Sequence, residues 1–111
     1  MRRVAVTGLG IVAPNGNTVP ESWSNIVNGV SGIGLIRSFD ASSFPVKIAG
    51  EIKNFDVTEF VSLKDSKKMD PFIHYGLAAS IEAIEDSGIE IRDDNADRIG
   101  TIIGSGIGGL P

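Results

Sequence analysis

One histidine and no cysteine stand among 111 residues. A thiolate nucleophile, a disulfide or a Cys/His metal site cannot be assembled from these residues, and His74 has no second histidine for a dyad. No metal site is expected. His74 follows Ile73 on a helical pattern and reads as a surface or structurally capped imidazole. Two other groups of residues can do something chemical. Lys64, Lys67 and Lys68 fall within five positions. That spacing makes a small basic spot suited to an acidic protein or a phosphate. It is also the pattern of a solvated helix face, which spacing alone favours. The second group is Gly104-Ser105-Gly106-Ile107-Gly108-Gly109, four glycines around one bulky apolar side chain. Glycine lets a backbone approach closely or take positive φ. Ile107 can then plug a pocket at a strand end or serve as an ordinary core anchor, and local sequence does not choose between them.

An earlier glycine motif raises a cofactor question. Gly8-Leu9-Gly10-Ile11-Val12-Ala13 has the form G-x-G-x-x-A after an apolar run. In a dinucleotide site a helix begins at the second glycine and receives the pyrophosphate. Here Pro14, Asn15 and Gly16 intervene, and helix signals resume only at Thr18. The acid expected about 20 residues further on, at the end of a buried strand, is also missing. A dinucleotide-binding fragment is the weaker reading, and no cofactor is expected.

The elements that must hold these residues follow from periodicity. Residues 4–12 form a β-branched apolar run, predicted as a buried strand. The turn at residues 13–17 ends it. Thr18 and Glu21 form a capping box for a short helix carrying Trp23, Ile26 and Val27 on one stripe, with Gly29 as its left-handed cap. Residues 30–44 read as irregular. Residues 45–55 alternate in polarity and predict an edge strand. Asp70 and Pro71 open the clearest helix, over residues 71–87, with a buried stripe of Ile73, Leu77, Ile81 and Ile84 and a stop at Gly88. Residues 98–104 predict a second buried strand. Strand, helix, edge strand, long helix, strand is an α/β order.

Composition agrees with a globular chain and narrows the partners. Hydrophobic residues make up 41% and charged residues 22%, with a net charge of −4. An acidic chain with one basic spot does not fit nucleic acid, which needs a broad basic face. The apolar stretches are short and broken by glycine, so no membrane span is expected. The apolar run within residues 1–17 reads as a first strand rather than a leader peptide, and the absence of cysteine suits the cytoplasm. Two buried strands and two apolar helix stripes are too few to close a covered sheet. The chain therefore reads as the opening segment of a larger enzyme.

Taken together, VAVTGLGIVAPNGN, SGIGLIRSFD, KKMDPFIHYGLAAS, AIEDSG and RIGTIIGSGIGGL resemble one family across essentially the whole chain. The sequence is similar to the N-terminal portion of a β-ketoacyl-acyl carrier protein synthase, most like the type II elongating enzymes of bacterial fatty-acid synthesis. The resemblance implies a thiolase-like fold layered α-β-α-β-α, a homodimer, and decarboxylative Claisen condensation of carrier-bound thioesters. It implies that residues 1–111 are the first part of that domain, ending before the catalytic cysteine and both histidines. His74 matches neither histidine. Ile107 matches an isoleucine gating the acyl pocket. Lys64, Lys67 and Lys68 match a patch that docks the acidic carrier protein, with lysine at position 67 where relatives often have arginine, a change that loses a bidentate fork. A chain-length factor without condensing activity is a further alternative.

Overall fold

The computed structural model describes residues 1–109. Its elements are α1 (Val19–Val27), β1 (Ile33–Leu35), β2 (Ile48–Gly50), α2 (Leu63–Ser66) and α3 (Pro71–Ser87), with single 3₁₀ turns at Val57–Glu59 and Ala96–Arg98.

The helix ends are set by local chemistry. Thr18 is extended and its hydroxyl accepts the Glu21 N–H at 3.4 Å. Glu21 reaches back to the Asn17 N–H at 2.7 Å, one residue before the cap. At the other end Gly29 has φ +68°. The N–H of Val30 returns to the Asn25 carbonyl and that of Gly29 to Ile26, which is a complete Schellman closure. α3 begins at Pro71 and stops at Gly88, whose φ is +63°. Asp70 stands at its N-cap but makes no side-chain cap bond.

Residues 4–12 lie along α3. A Cβ on Gly8 would strike the Ala83 carbonyl and Ser87; one on Gly10 would strike the Ala79 carbonyl. The two glycines therefore let the extended chain sit directly against the helix backbone. Carboxylates from α3 take the chain's amides. Leu9 N–H donates to Asp86 Oδ2 at 2.9 Å and Ile11 N–H to Glu82 Oε2 at 2.9 Å. The other Glu82 oxygen accepts the Val19 N–H at 2.7 Å, which ties the start of α1 to the same helix. Two residues of extended chain rise about 6.6 Å and four of helix about 6 Å, so alternate amides meet acids four apart.

The expected strand at residues 4–12 is therefore extended but in no ladder. A strand needs a neighbour's backbone, and here helix carboxylates take the amides of Leu9 and Ile11 instead. The expected strand at residues 98–104 is likewise unpaired among the described residues, and Ile102 is 99% exposed. The ladder that does form pairs β1 with β2 antiparallel, Ile33 opposite Gly50 and Leu35 opposite Ile48. β1 falls inside the stretch read as irregular, and β2 shortens the strand expected over 45–55. Ile33, Leu35 and Ile48 share an exposed face, while Gly34 and Ala49 are half-buried.

The helix stripes also differ from expectation. Ile73, Leu77 and Ile81 are only half-buried and Ile84 is exposed; the buried α3 residue is Ala78. Trp23 on α1 is 64% exposed, and Ile26 and Val27 are exposed with it. Ala41 and Ala78 are the only buried apolar residues among those described. The Cα radius of gyration is 17.0 Å, against about 13 Å for a compact chain of this length. The described residues do not enclose a core.

Candidate functional site

The three lysines sit on and just beyond α2. Ser62 caps this single turn: its hydroxyl accepts the Asp65 N–H at 3.1 Å and donates to Asp65 Oδ2 at 2.7 Å. Two contacts fix the turn on α3. His74 Nε2 lies 3.0 Å from the Ser66 carbonyl. A carbonyl only accepts, so Nε2 carries the proton. Ahead of α2, Phe55 stacks on Phe60 with centroids 5.7 Å apart and meets Tyr75 of α3 edge-on at 5.1 Å. The lone histidine is thus a structural brace, as its position in the sequence implied.

So held, Lys64, Lys67 and Lys68 are all exposed. Lys67 and Lys68 follow Lys64 by three and four residues, which brings each of them near it across the turn. Lys68 Nζ pairs with Asp65 Oδ1 at 3.0 Å, with both side chains more than half exposed. No ion pair involves Lys64 or Lys67 among the described residues. Asp65 is held below the ordinary carboxylate value, first by the Ser62 hydroxyl and then by Lys68.

The second glycine turn runs back over the start of α3. Gly108 has φ +80° and lies against the Phe72 ring; a Cβ on Gly109 would strike the Asp70 carboxylate. Between α3 and this segment opens a cavity of about 590 Å³, lined by Phe72, Ile73, Gly76, Leu77, Ile103 and Gly104 among others. Ile107 is not in its lining and is 78% exposed. It is neither a buried anchor nor a plug in this conformation. The lysines and Ile107 are not brought together by any shared contact.

A larger cleft of about 760 Å³ lies between the hairpin and α3, bordered by Arg37, Ser38, Glu51, Lys53 and Tyr75. Sequence reasoning missed it. Glu51 organises its rim by accepting the Ser38 hydroxyl at 2.6 Å and the N–H groups of Arg37 and Ser38 at 2.9 and 3.0 Å. These bonds, the Ser38 hydroxyl first, hold the Glu51 carboxyl below its ordinary value. The only advance signal was Glu51 on the polar side of an alternating run.

Comparison with known proteins decides what frame these features belong to. Residues 1–110 match the family described as "Beta-ketoacyl synthase, N-terminal domain". The chain belongs to the β-ketoacyl synthase family. Over 109 residues it is 56% identical to 3-oxoacyl-[acyl-carrier-protein] synthase 2 of Vibrio harveyi, covering 98% of this chain and 26% of that protein. The enzyme of the same name from Coxiella burnetii is 48% identical over 110 residues, 99% of this chain and 27% of that protein. The chain thus spans about a quarter of the length of these curated relatives. A solved structure, the ishigamide ketosynthase/chain length factor, superposes with a TM-score of 0.69 at 32% identity, covering 80% of this chain and 22% of that one. The fold is accordingly the thiolase-like α/β fold.

Within this β-ketoacyl synthase segment the first glycine motif has a packing role. The backbone after Gly10 closes a turn, with Ala13 and Gly16 bonded to each other at 2.8 and 3.0 Å, and α1 starts only at Val19. There is no helix N-terminus for a pyrophosphate at Gly10, so the dinucleotide alternative is not favoured.

Proposed function

We propose that the polypeptide carrying these residues is a 3-oxoacyl-[acyl-carrier-protein] synthase that elongates acyl chains in fatty-acid synthesis. The observation that carries this reading is 56% identity across 98% of the chain to a relative with that name. In the reaction the acyl group passes from its carrier thioester to an enzyme thiol, releasing the carrier's free thiol. Malonyl thioester then loses CO₂, and its α-carbon attacks the acyl carbon. A 3-oxoacyl thioester two carbons longer leaves, and the enzyme thiol is regenerated. Residues 1–111 contain no cysteine and their one histidine is engaged with the Ser66 carbonyl, so the thiol and the histidines that assist decarboxylation belong to other parts of the polypeptide. Residues 1–111 are the first part of the condensing domain, and the enzyme works as a homodimer in the cytoplasm. No helix of the described residues is long and apolar enough to cross a membrane.

Two tasks fall to the chain itself. Lys64, Lys67 and Lys68 dock the acidic acyl carrier protein; their exposure, and the absence of ion pairs on Lys64 and Lys67 among the described residues, support this. Ile107 gates the acyl pocket. Its place in a glycine turn beside an apolar cavity supports that role, because the surrounding glycines let the side chain move between exposed and filling positions. The chain-length-factor alternative draws on the 32% identical solved structure, but the 56% and 48% identical synthases weigh more.

The test separates docking from chemistry. Lys64→Glu, Lys67→Glu and Lys68→Glu together should slow association with the carrier and change its salt dependence. Turnover of a small carrier-free thioester should hold. Equal loss with both substrates would make the patch structural.

A further inference from the structure

The three lysines are not equivalent. Asp65 lies inside the patch and on the same turn, and its Oδ1 is 3.0 Å from Lys68 Nζ. The opposite oxygen is anchored by the Ser62 hydroxyl at 2.7 Å. Ser62 is in turn fixed by its cap bond to the Asp65 N–H. The carboxylate is therefore aimed, rather than free to swing away. The Ser62 hydroxyl and Lys68 also keep it ionised below the usual carboxylate range. Lys64 and Lys67 have no such counter-ion among the described residues.

We infer that Asp65 is an internal mimic of the acidic partner, holding Lys68 in reserve until docking displaces it. This deepens the docking reading above and rests on it. Lys64 and Lys67 supply the field that steers the approaching acidic protein. Lys68 contributes to the bound complex only after its pair with Asp65 opens. The exchange swaps one exposed carboxylate for another, so it sets specificity more than affinity. A partner that offers a weakly placed acid does not release Lys68. One whose acids match the spacing of all three lysines does.

The experiment is a double-substitution cycle on the polypeptide carrying this chain, with purified acyl carrier protein as the probe. Association rates and affinities are measured at several salt concentrations. Asn replaces Asp65 because its side-chain oxygen still accepts the Ser62 hydroxyl. Met replaces each lysine in turn. Lys64→Met and Lys67→Met should each weaken binding roughly two- to fivefold, the span of an exposed ion pair. Lys68→Met should weaken binding less than Lys64→Met in the native background, because the contact it removes is offset by the Asp65 pair that no longer has to open, yet match Lys64→Met once Asp65→Asn is present. Asp65→Asn alone should speed association, most strongly at low salt. If Lys68→Met is as damaging as Lys64→Met in the native background, Lys68 is already free and the inference is wrong. If Asp65→Asn leaves association unchanged while the Lys64 and Lys67 variants weaken it, the inference also fails and docking survives. If no lysine variant changes binding, the docking reading itself falls. Thermal melts of each variant separate loss of the α2 cap from loss of charge.

Discussion

Single atoms decide much in this chain. Gly10 meets the α3 backbone where even a methyl group has no room, because the blocking atoms are the Ala79 carbonyl and the Ala83 amide. Main chain cannot swing aside as a side chain can. Gly10→Ala should destabilise the protein by about 1–3 kcal/mol, as other overpacked sites do, read as a lower denaturant midpoint at unchanged slope. Glu82 makes a complementary demand. Two N–H donors converge on its two oxygens. Glutamine has only one acceptor oxygen, so Glu82→Gln leaves a donor facing an amide NH₂. The expected loss is about 1–3 kcal/mol, and Glu85→Gln, on the exposed part of the same helix, is the control that should change little. Ile107 is tested by bulk. If it gates an acyl pocket, Ile107→Phe should lower kcat/KM for long acyl thioesters roughly tenfold, the equivalent of about 1.4 kcal/mol, while acetyl-sized primers lose little. A uniform loss across chain lengths, at an unchanged melting temperature, would remove the gating role.

At the scale of elements, acid should loosen the hairpin region first. Glu51 bridges the Arg37–Ser38 loop to the chain after β2, and its folded value lies below the ordinary 4.5 because those hydrogen bonds favour the charged form. A depressed carboxylate contributes stability that is full above its unfolded value and is lost as pH falls through the folded one. The loss therefore begins below about pH 4.5. Amide exchange at Arg37 and Ser38 should rise relative to α3 in that window, and Glu51→Gln should abolish the difference.

What could be read ahead of time follows the same physical division. The bounds of α3 were legible because Pro71 and Gly88 act within one turn of the helix they bound, although Asp70 makes no side-chain cap bond. The Thr18–Glu21 box and the Gly29 closure were legible for the same reason. Residues 4–12 and 98–104 carry the apolar runs of buried strands yet neither pair nor bury most of their large side chains, since both pairing and burial depend on neighbours far away in sequence. β1 was hidden by Gly32 and Gly34, which erase the alternation its neighbours would show. α2 is a single turn, too short for any period. The lysines were visible as charges, but Asp65 as their internal counter-ion needed the turn that Ser62 caps.

The molecule as a whole is open. Its radius of gyration is 17.0 Å, and apolar residues stand exposed on α1, β1, β2 and the unpaired extended segments. Residues 1–111 expressed alone should be poorly cooperative and prone to associate, because unpaired extended edges and contiguous apolar faces recruit other chains. A sharp two-state thermal transition in a monomeric 1–111 sample would contradict this. The central claim, condensation of carrier-bound thioesters, is tested most directly by product. The polypeptide carrying this chain is incubated with acyl-acyl carrier protein and carboxyl-labelled malonyl-acyl carrier protein. The account predicts release of labelled CO₂ matched one for one by a 3-oxoacyl-carrier product two carbons longer. Well-folded protein that yields neither, or that releases CO₂ without elongating the acyl chain, would contradict it.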